Sequence, residues 1–186
     1  DPGKMIDVYG ADAVRFFILS DSPPEKDIQW SDSGMASSFK FIQKFWTQSK
    51  RISEIIQMDK IEVNKQIDFF VNQAINKIDY ALSNFRYNVI IAIFHEIYAF
   101  LNKLTEKQSN YENLEKNYKK VLIAMMPVIP HLVNERLSDM YTREDITWPK
   151  VDEKFIQSDK CNIVVQINGK KRSILEVEKN IEEKII

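Results

Sequence analysis

Glycine is scarce in this chain: four occur among 186 residues, standing alone at Gly3, Gly10, Gly34 and Gly169. No GxGxxG turn or P-loop, whose clustered backbone N–H groups cradle phosphates, can be written with them. Cysteine is scarcer still. The single Cys161 excludes an internal disulfide and a cysteine-rich zinc site, and it fits a reducing compartment, with the cytoplasm as the default. An excess of charge is also missing: 26 Lys+Arg face 27 Asp+Glu, a net of −1. A protein that coats a polyanion by bulk charge is thereby excluded, and any nucleic-acid contact must come from a local basic face. Long apolar runs are absent. Val89 to Phe94 stops at His95-Glu96 and Val121 to Ile129 contains Pro127, both short of the roughly 18 residues of a membrane span. The chain opens on Asp1-Pro2 without a basic and apolar leader, so no signal peptide is read and a piece of a longer protein is expected.

What is present is helical periodicity. The length allows one domain or one domain with part of a second. Asp12 is placed to cap the run Ala13 to Leu19, and Ser22-Pro23-Pro24 then ends it. Helix resumes near Ser31 or Asp32, each a possible N-cap. From Ser33 to Ile56, Phe39, Phe41, Ile42, Phe45, Trp46, Ile52 and Ile56 fall within an arc about 160° wide, while Lys40, Lys44, Thr47 and Arg51 fall within about 60° on the other side. Ile67 to Leu82 follows the i, i+3, i+4, i+7 rule. Tyr87 to Leu104 is apolar nearly all round and is expected at the centre of a bundle. Residues 105–113 read as a polar connecting loop. Helices are expected over Leu114 to Met126 and from His131 to about Tyr141, with Pro130 suited to a first turn. After Trp148-Pro149 the composition changes. Asn162 to Ile167, the turn signal Asn168-Gly169 and the alternating Arg172 to Val177 predict a β-hairpin, and Glu178 to Ile186 resembles the opening of a further helix.

Candidate chemistry is sparse. His131 and Glu135 form HxxxE without the second histidine and third ligand that a zinc hydrolase needs, so His131 reads as structural, hydrogen-bonded near a helix start. His95 reads as a satisfied core histidine. The three tryptophans, Trp30, Trp46 and Trp148, read as packing anchors rather than stacking platforms. No catalytic constellation and no metal site emerge. The basic stripe is the better candidate: Lys40, Lys44 and Arg51 are separated by roughly 6 and 10 Å of axial rise, a spacing that can follow a phosphate backbone. A plain solvated helix face carries the same pattern. Lys170-Lys171-Arg172 forms a second basic cluster at the hairpin, open to the same two readings, since edge lysines also keep strands soluble.

The opening DPGKMIDVYGADAVRFFILSDSPPEKDIQWSDSGMASSFKFIQKFW resembles the segment after the KMSKS loop of bacterial-type leucyl-tRNA synthetases, which are class I enzymes. YGAD-x-x-R, Tyr9 to Arg15, resembles a stretch shared by the leucine, isoleucine and valine enzymes. SPPEKDIQWSDSG followed by FIQKFW is similar to the leucine enzymes in particular. MMPVIPHLVNERL, Met125 to Leu137, resembles the proline-histidine motif of the group's helical domain, and Trp148-Pro149 the WP near its end. VVQINGKKRSILEV, Val164 to Val177, is similar to the start of the leucine enzyme's small C-terminal domain, with Lys171 where leucine is more usual.

The resemblance implies a mainly α fold: an anticodon-binding helical bundle of class I aminoacyl-tRNA synthetases, followed by a β-hairpin that begins a truncated α+β C-terminal domain. It implies a junction segment over residues 1–30, a tRNA-docking bundle over 31–150 and the start of the C-terminal domain over 151–186. The parent protein would join leucine to tRNA(Leu) with ATP. The piece in hand would hold neither the catalytic nor the editing domain, use no cofactor of its own, and position tRNA through backbone contacts. Lys40 and Lys44 fall where the family carries tRNA-facing basic residues; Lys50 and Arg51 extend that stripe. Arg15 is expected to pair with Asp12 or Asp21 and brace the junction. Two alternatives stay open: a helical protein-interaction module without RNA binding, and the equivalent domain of an isoleucyl or valyl enzyme.

Overall fold

A computed structural model describes residues 1–21, 23–59, 61–140, 146–156, 160–167 and 170–178. The described residues form two compact units, Asp1–Val151 and Asp152–Ile186. The first holds seven α-helices: α1 (Pro2–Tyr9), α2 (Ala11–Asp21), α3 (Asp32–Ile56), α4 (Lys65–Ser83), α5 (Tyr87–Glu106), α6 (Leu114–Met125) and α7 (Pro130–Met140). Two short strands, β1 (Ile61–Glu62) and β2 (Asn110–Tyr111), pair in parallel between them. Among the described residues no helix is long and apolar enough to cross a membrane.

Local chemistry sets most of the boundaries. Asp1 caps α1 by accepting the Gly3 N–H at 3.0 Å, and Pro2 occupies the first turn where a missing N–H costs nothing. Gly10, at φ 82°, separates α1 from α2. Of the two residues that the sequence offers as the cap of α3, Ser31 takes the role: its Oγ accepts the Gly34 N–H at 3.1 Å, while Asp32 accepts the Trp30 indole N–H at 2.7 Å. Gly34 is also where α2 and α3 meet, since a Cβ there would lie 2.8 Å from the Phe17 ring.

One large core joins Phe16 of α2 to the buried faces of α3 through α7, with Phe45, Phe94, Ile75, Ile78, Leu122 and Val133 nearly or wholly excluded from solvent. A smaller cluster of Ala13, Val14, Phe17 and Met35 fastens α2 to α3. Three expectations need correction. Asp12 does not cap α2: it lies inside the first turn of that helix and its carboxylate caps α7, accepting the His131 N–H at 3.2 Å and the Leu132 N–H at 2.7 Å. Arg15 does not pair with Asp12: it donates from Nε to Val128 O at 3.0 Å and from Nη2 to Pro127 O at 2.6 Å, and the Asp21 side chain lies outside the described residues. Residues Asp12 and Arg15, one helical turn apart, therefore satisfy the two orphaned ends that flank the α6–α7 turn.

The third correction concerns the 105–113 segment, which is not all loop: α5 runs on to Glu106 and Asn110–Tyr111 form β2. Asn110 Nδ2 donates to Ile56 O at 2.8 Å and Met58 O at 3.2 Å, Ser109 Oγ donates to Glu62 Oε1 at 2.9 Å, and Tyr111 is buried. Asn110 is structural there because it satisfies backbone carbonyls at the end of α3, and Ser109 ties the segment to β1. Helix α5 does touch α2, α3 and α4, yet Val89, Ala92, His95 and Glu96 leave one face exposed.

The second unit contains a 3₁₀ turn (Glu153–Phe155) and an antiparallel hairpin of β3 (Lys160–Ile167) and β4 (Lys170–Glu178), with Ile167 opposite Lys170 and Lys160 opposite Glu178. Ser22, the Asn168-Gly169 turn, the end of the fifth predicted helix at Tyr141 and residues 179–186 of the predicted further helix lie outside the described residues.

Candidate nucleic-acid interface

The 25-residue α3 exposes the stripe that its periodicity predicts. Lys40, Lys44, Thr47 and Arg51 face solvent while Met35, Phe41, Phe45, Ile52 and Ile55 are buried. Along this face α3 borders α5, and together they form an open groove of about 390 Å³. Its α3 wall carries Lys40, Lys44 and Arg51; Tyr98, Asn102 and Thr105 form the α5 wall. None of the residues lining it is acidic. Among the described residues, none of the three cations takes part in an ion pair.

Gln48 sets the spacing between the two walls. It is 4% exposed, donates from Nε2 to Tyr98 O at 2.9 Å, and its Oε1 has no hydrogen-bond partner in the protein. Thr47 Oγ1 turns inward to Gln43 O at 3.1 Å and adds no charge. Three like charges spaced over about 16 Å of helix repel one another in the free protein, and an anion entering the groove relieves that repulsion.

Lys50 departs from this arrangement. One residue of helix turns it about 100° from Arg51, and its ammonium lies 4.9 Å from the centre of the Trp46 ring. Arg136, 6% exposed, approaches the same indole at 5.3 Å and donates to Ser49 Oγ at 3.0 Å, Ser53 Oγ at 2.7 Å and Asp139 Oδ2 at 2.9 Å. The structure thus gathers Lys40, Lys44 and Arg51 and leaves Lys50 on the neighbouring face. Lys170, Lys171 and Arg172 are the first three residues of β4 in the second unit, and Arg172 is exposed.

Neither histidine belongs to a reactive cluster. His131 is structural as expected, its Nδ1 2.8 Å from Asp12 Oδ1. His95 is no core residue. It is exposed, with its ring edge-on to Phe41 at 4.5 Å and Phe16 at 5.9 Å; desolvation by these neighbours lowers its pKa. No group of three His, Cys, Asp or Glu able to hold a metal ion occurs among the described residues. Sequence reasoning missed the α5 wall and Gln48. The available signal was Tyr98, Asn102 and Thr105, polar residues interrupting an apolar helix at i, i+4 and i+7, all on one face.

A family model described as the anticodon-binding domain of tRNA ligase matches residues 64–186. The chain is 30% identical to a leucine–tRNA ligase of Fusobacterium nucleatum over 202 residues, covering 100% of this chain and 24% of that protein. It is 32% identical to a leucine–tRNA ligase of Roseobacter denitrificans, covering 93% of this chain and 20% of that protein. The chain thus spans less than a quarter of these curated relatives. Its fold is shared with one segment of the crystal structure of an Agrobacterium radiobacter K84 LeuRS–tRNA–LeuAMS ternary complex. That match has a TM-score of 0.75 at 22% identity, over 100% of this chain and 26% of that one.

Proposed function

Because this chain belongs to the anticodon-binding domain family of tRNA ligases, we propose that it is the tRNA-docking portion of a cytoplasmic leucine–tRNA ligase and holds tRNA(Leu) along the α3–α5 groove. The observation that carries this reading is the row of Lys40, Lys44 and Arg51, exposed and uncapped by carboxylates in a groove without acidic residues. Phosphate contacts position a nucleic acid without reading its bases, and a groove walled by cations, amides and hydroxyls provides such contacts. Lys50 and the hairpin cluster Lys170, Lys171 and Arg172 are proposed as further tRNA contacts, subordinate to the groove.

ATP-dependent attachment of leucine is assigned to the rest of such a protein, outside the span described by these residues. The first thirty residues are proposed as its junction. Ile6, Val8, Ile18, Ile28 and Trp30 are exposed, and Pro2, Met5, Val14 and Ile18 line an apolar cavity of about 350 Å³. That composition suits a surface covered by more protein. Residues 31–150 would form the docking bundle and 151–186 the beginning of a C-terminal domain.

The test is a titration of the chain with a tRNA(Leu) transcript. Lys40→Glu/Lys44→Glu is expected to weaken binding about tenfold or more, since two phosphate partners become repulsive. In a complete ligase the same change should raise KM for tRNA and leave leucine-dependent pyrophosphate exchange intact. Unchanged affinity in the double variant would remove the groove from the binding site. No binding even at low salt would favour a protein-interaction module instead.

A further inference from the structure

The corner between α4 and α5 holds an exposed ring on a backbone conformation that disfavours it. The Arg86 N–H donates to Ala81 O at 2.8 Å and the Phe85 N–H to Leu82 O at 3.1 Å. This double closure of a helix C-terminus puts the residue after the cap in the left-handed region. That residue is Phe85, at φ 55°, where glycine is the usual occupant and an L side chain costs about 1–2 kcal/mol. Gln108, at the end of α5, sits at φ 48°, but its side chain is polar. Phe85 adds a second cost, an apolar ring on a residue that is 62% exposed.

Packing does not account for the ring. It meets Tyr87 edge-on, with centroids 6.2 Å apart at 83°. Nearby, Tyr80 is 60% exposed and the Arg86 guanidinium lies 5.9 Å from its ring centre. Beside Tyr80 opens a cavity of about 440 Å³, walled by Tyr80, Val89 and Ile93, with Asn76 and the Lys77–Glu96 pair (3.7 Å) also lining it.

We propose that this corner is a stacking site for unpaired nucleobases of RNA, with Phe85 and Tyr80 as platforms. Arg86 supplies the cation for an adjoining base face or phosphate, and Asn76 offers an amide to a base edge. This rests on the RNA-docking reading above and adds a contact away from the groove. Exposed π-faces beside an arginine and edge-reading polar groups are what single-stranded RNA requires. A protein-binding patch instead concentrates contiguous apolar area and is depleted of charge at its core.

The test compares the chain with Phe85→Asn, which removes the ring and tolerates the left-handed conformation, so its melting temperature should equal or exceed that of the parent. Two probes are used: a tRNA(Leu) transcript with its single-stranded loops, and a blunt-ended RNA duplex of matched length. Phe85→Asn should weaken transcript binding about fivefold to a hundredfold, the range expected for one base–aromatic stack. Duplex binding should be unchanged, and Phe85→Tyr should restore the transcript affinity. Lys40→Glu/Lys44→Glu should weaken both probes. Equal transcript affinity in Phe85→Asn and the parent overturns the stacking site while leaving the groove intact. Loss of transcript binding in Phe85→Asn alone, with the lysine variant unaffected, supports the corner and overturns the groove. Failure of the parent chain to bind either RNA overturns both, and association of the corner with a protein in place of RNA overturns the stacking site.

Discussion

Asp12 shows how much one side chain does when its partners lie over a hundred residues away. Its carboxylate, 8% exposed, takes two backbone N–H groups at the start of α7 and the His131 imidazole. Those amides belong to the orphaned set at a helix N-terminus, where a carboxylate also meets the positive end of the dipole. Replacing it with Ala leaves the buried Leu132 amide unpaired and the His131 amide without its carboxylate. Asp12→Ala is therefore expected to cost about 1–3 kcal/mol, read as a lower urea midpoint at unchanged slope. A midpoint within error of the parent would show that water replaces the cap. The residue type and its helix were legible in the sequence. The partner was not, because a cap acting across the fold looks the same in sequence as a cap on the next residue.

At the scale of elements, α3, α6 and α7 are tied by a buried polar knot. Tyr118, 1% exposed, shares a hydrogen bond with Ser49, and Arg136 donates to both Ser49 and Ser53. Burial pushes the Tyr118 phenol up from 10.0 to about 12, against the opposing pulls of the Ser49 hydrogen bond and the Arg136 charge. The sign follows. The folded state holds this proton more tightly than the unfolded chain, so the associated stability is complete below pH 10 and is lost as pH rises from there toward about 12. Urea midpoints should fall across that window, and Tyr118→Phe should flatten part of the fall while costing about 1 kcal/mol at neutral pH. An identical alkaline slope in Tyr118→Phe would refute the assignment. The helices themselves were readable from 3.6-residue periodicity and from Ser31, Pro130 and Gly10 as punctuation. The knot was not, since Gln48, Ser49, Ser53 and Arg136 look like ordinary polar breaks in an amphipathic pattern.

For the whole molecule the charge balance is nearly neutral, so attraction for a polyanion depends on geometry rather than on total charge. Three groove cations that each neutralise one phosphate should give a log–log salt slope of about −2 to −3 for tRNA binding. A slope near zero would place the binding energy outside the groove, and a much steeper one would bring in further cations such as Lys170 to Arg172. Lys50 is expected to contribute little to the slope because its ammonium is committed to the Trp46 ring.

Local order came from the sequence. The spacing of apolar residues fixed which face of α3 and α4 is buried, Ser31 and Pro130 marked where α3 and α7 begin, and the lysine–arginine spacing fixed a basic stripe. Those properties depend on neighbours within one or two turns, which a linear pattern records. Contacts between distant segments were decided by tertiary structure. It brought α5 alongside α3 to turn a stripe into a groove, set Asp12 and Arg15 against the α6–α7 turn, and joined Arg136 of α7 to Ser49 and Ser53 of α3. Each of these depends on packing that satisfies buried backbone groups and fills one shared core, and no stretch of sequence carries both halves of such a contact.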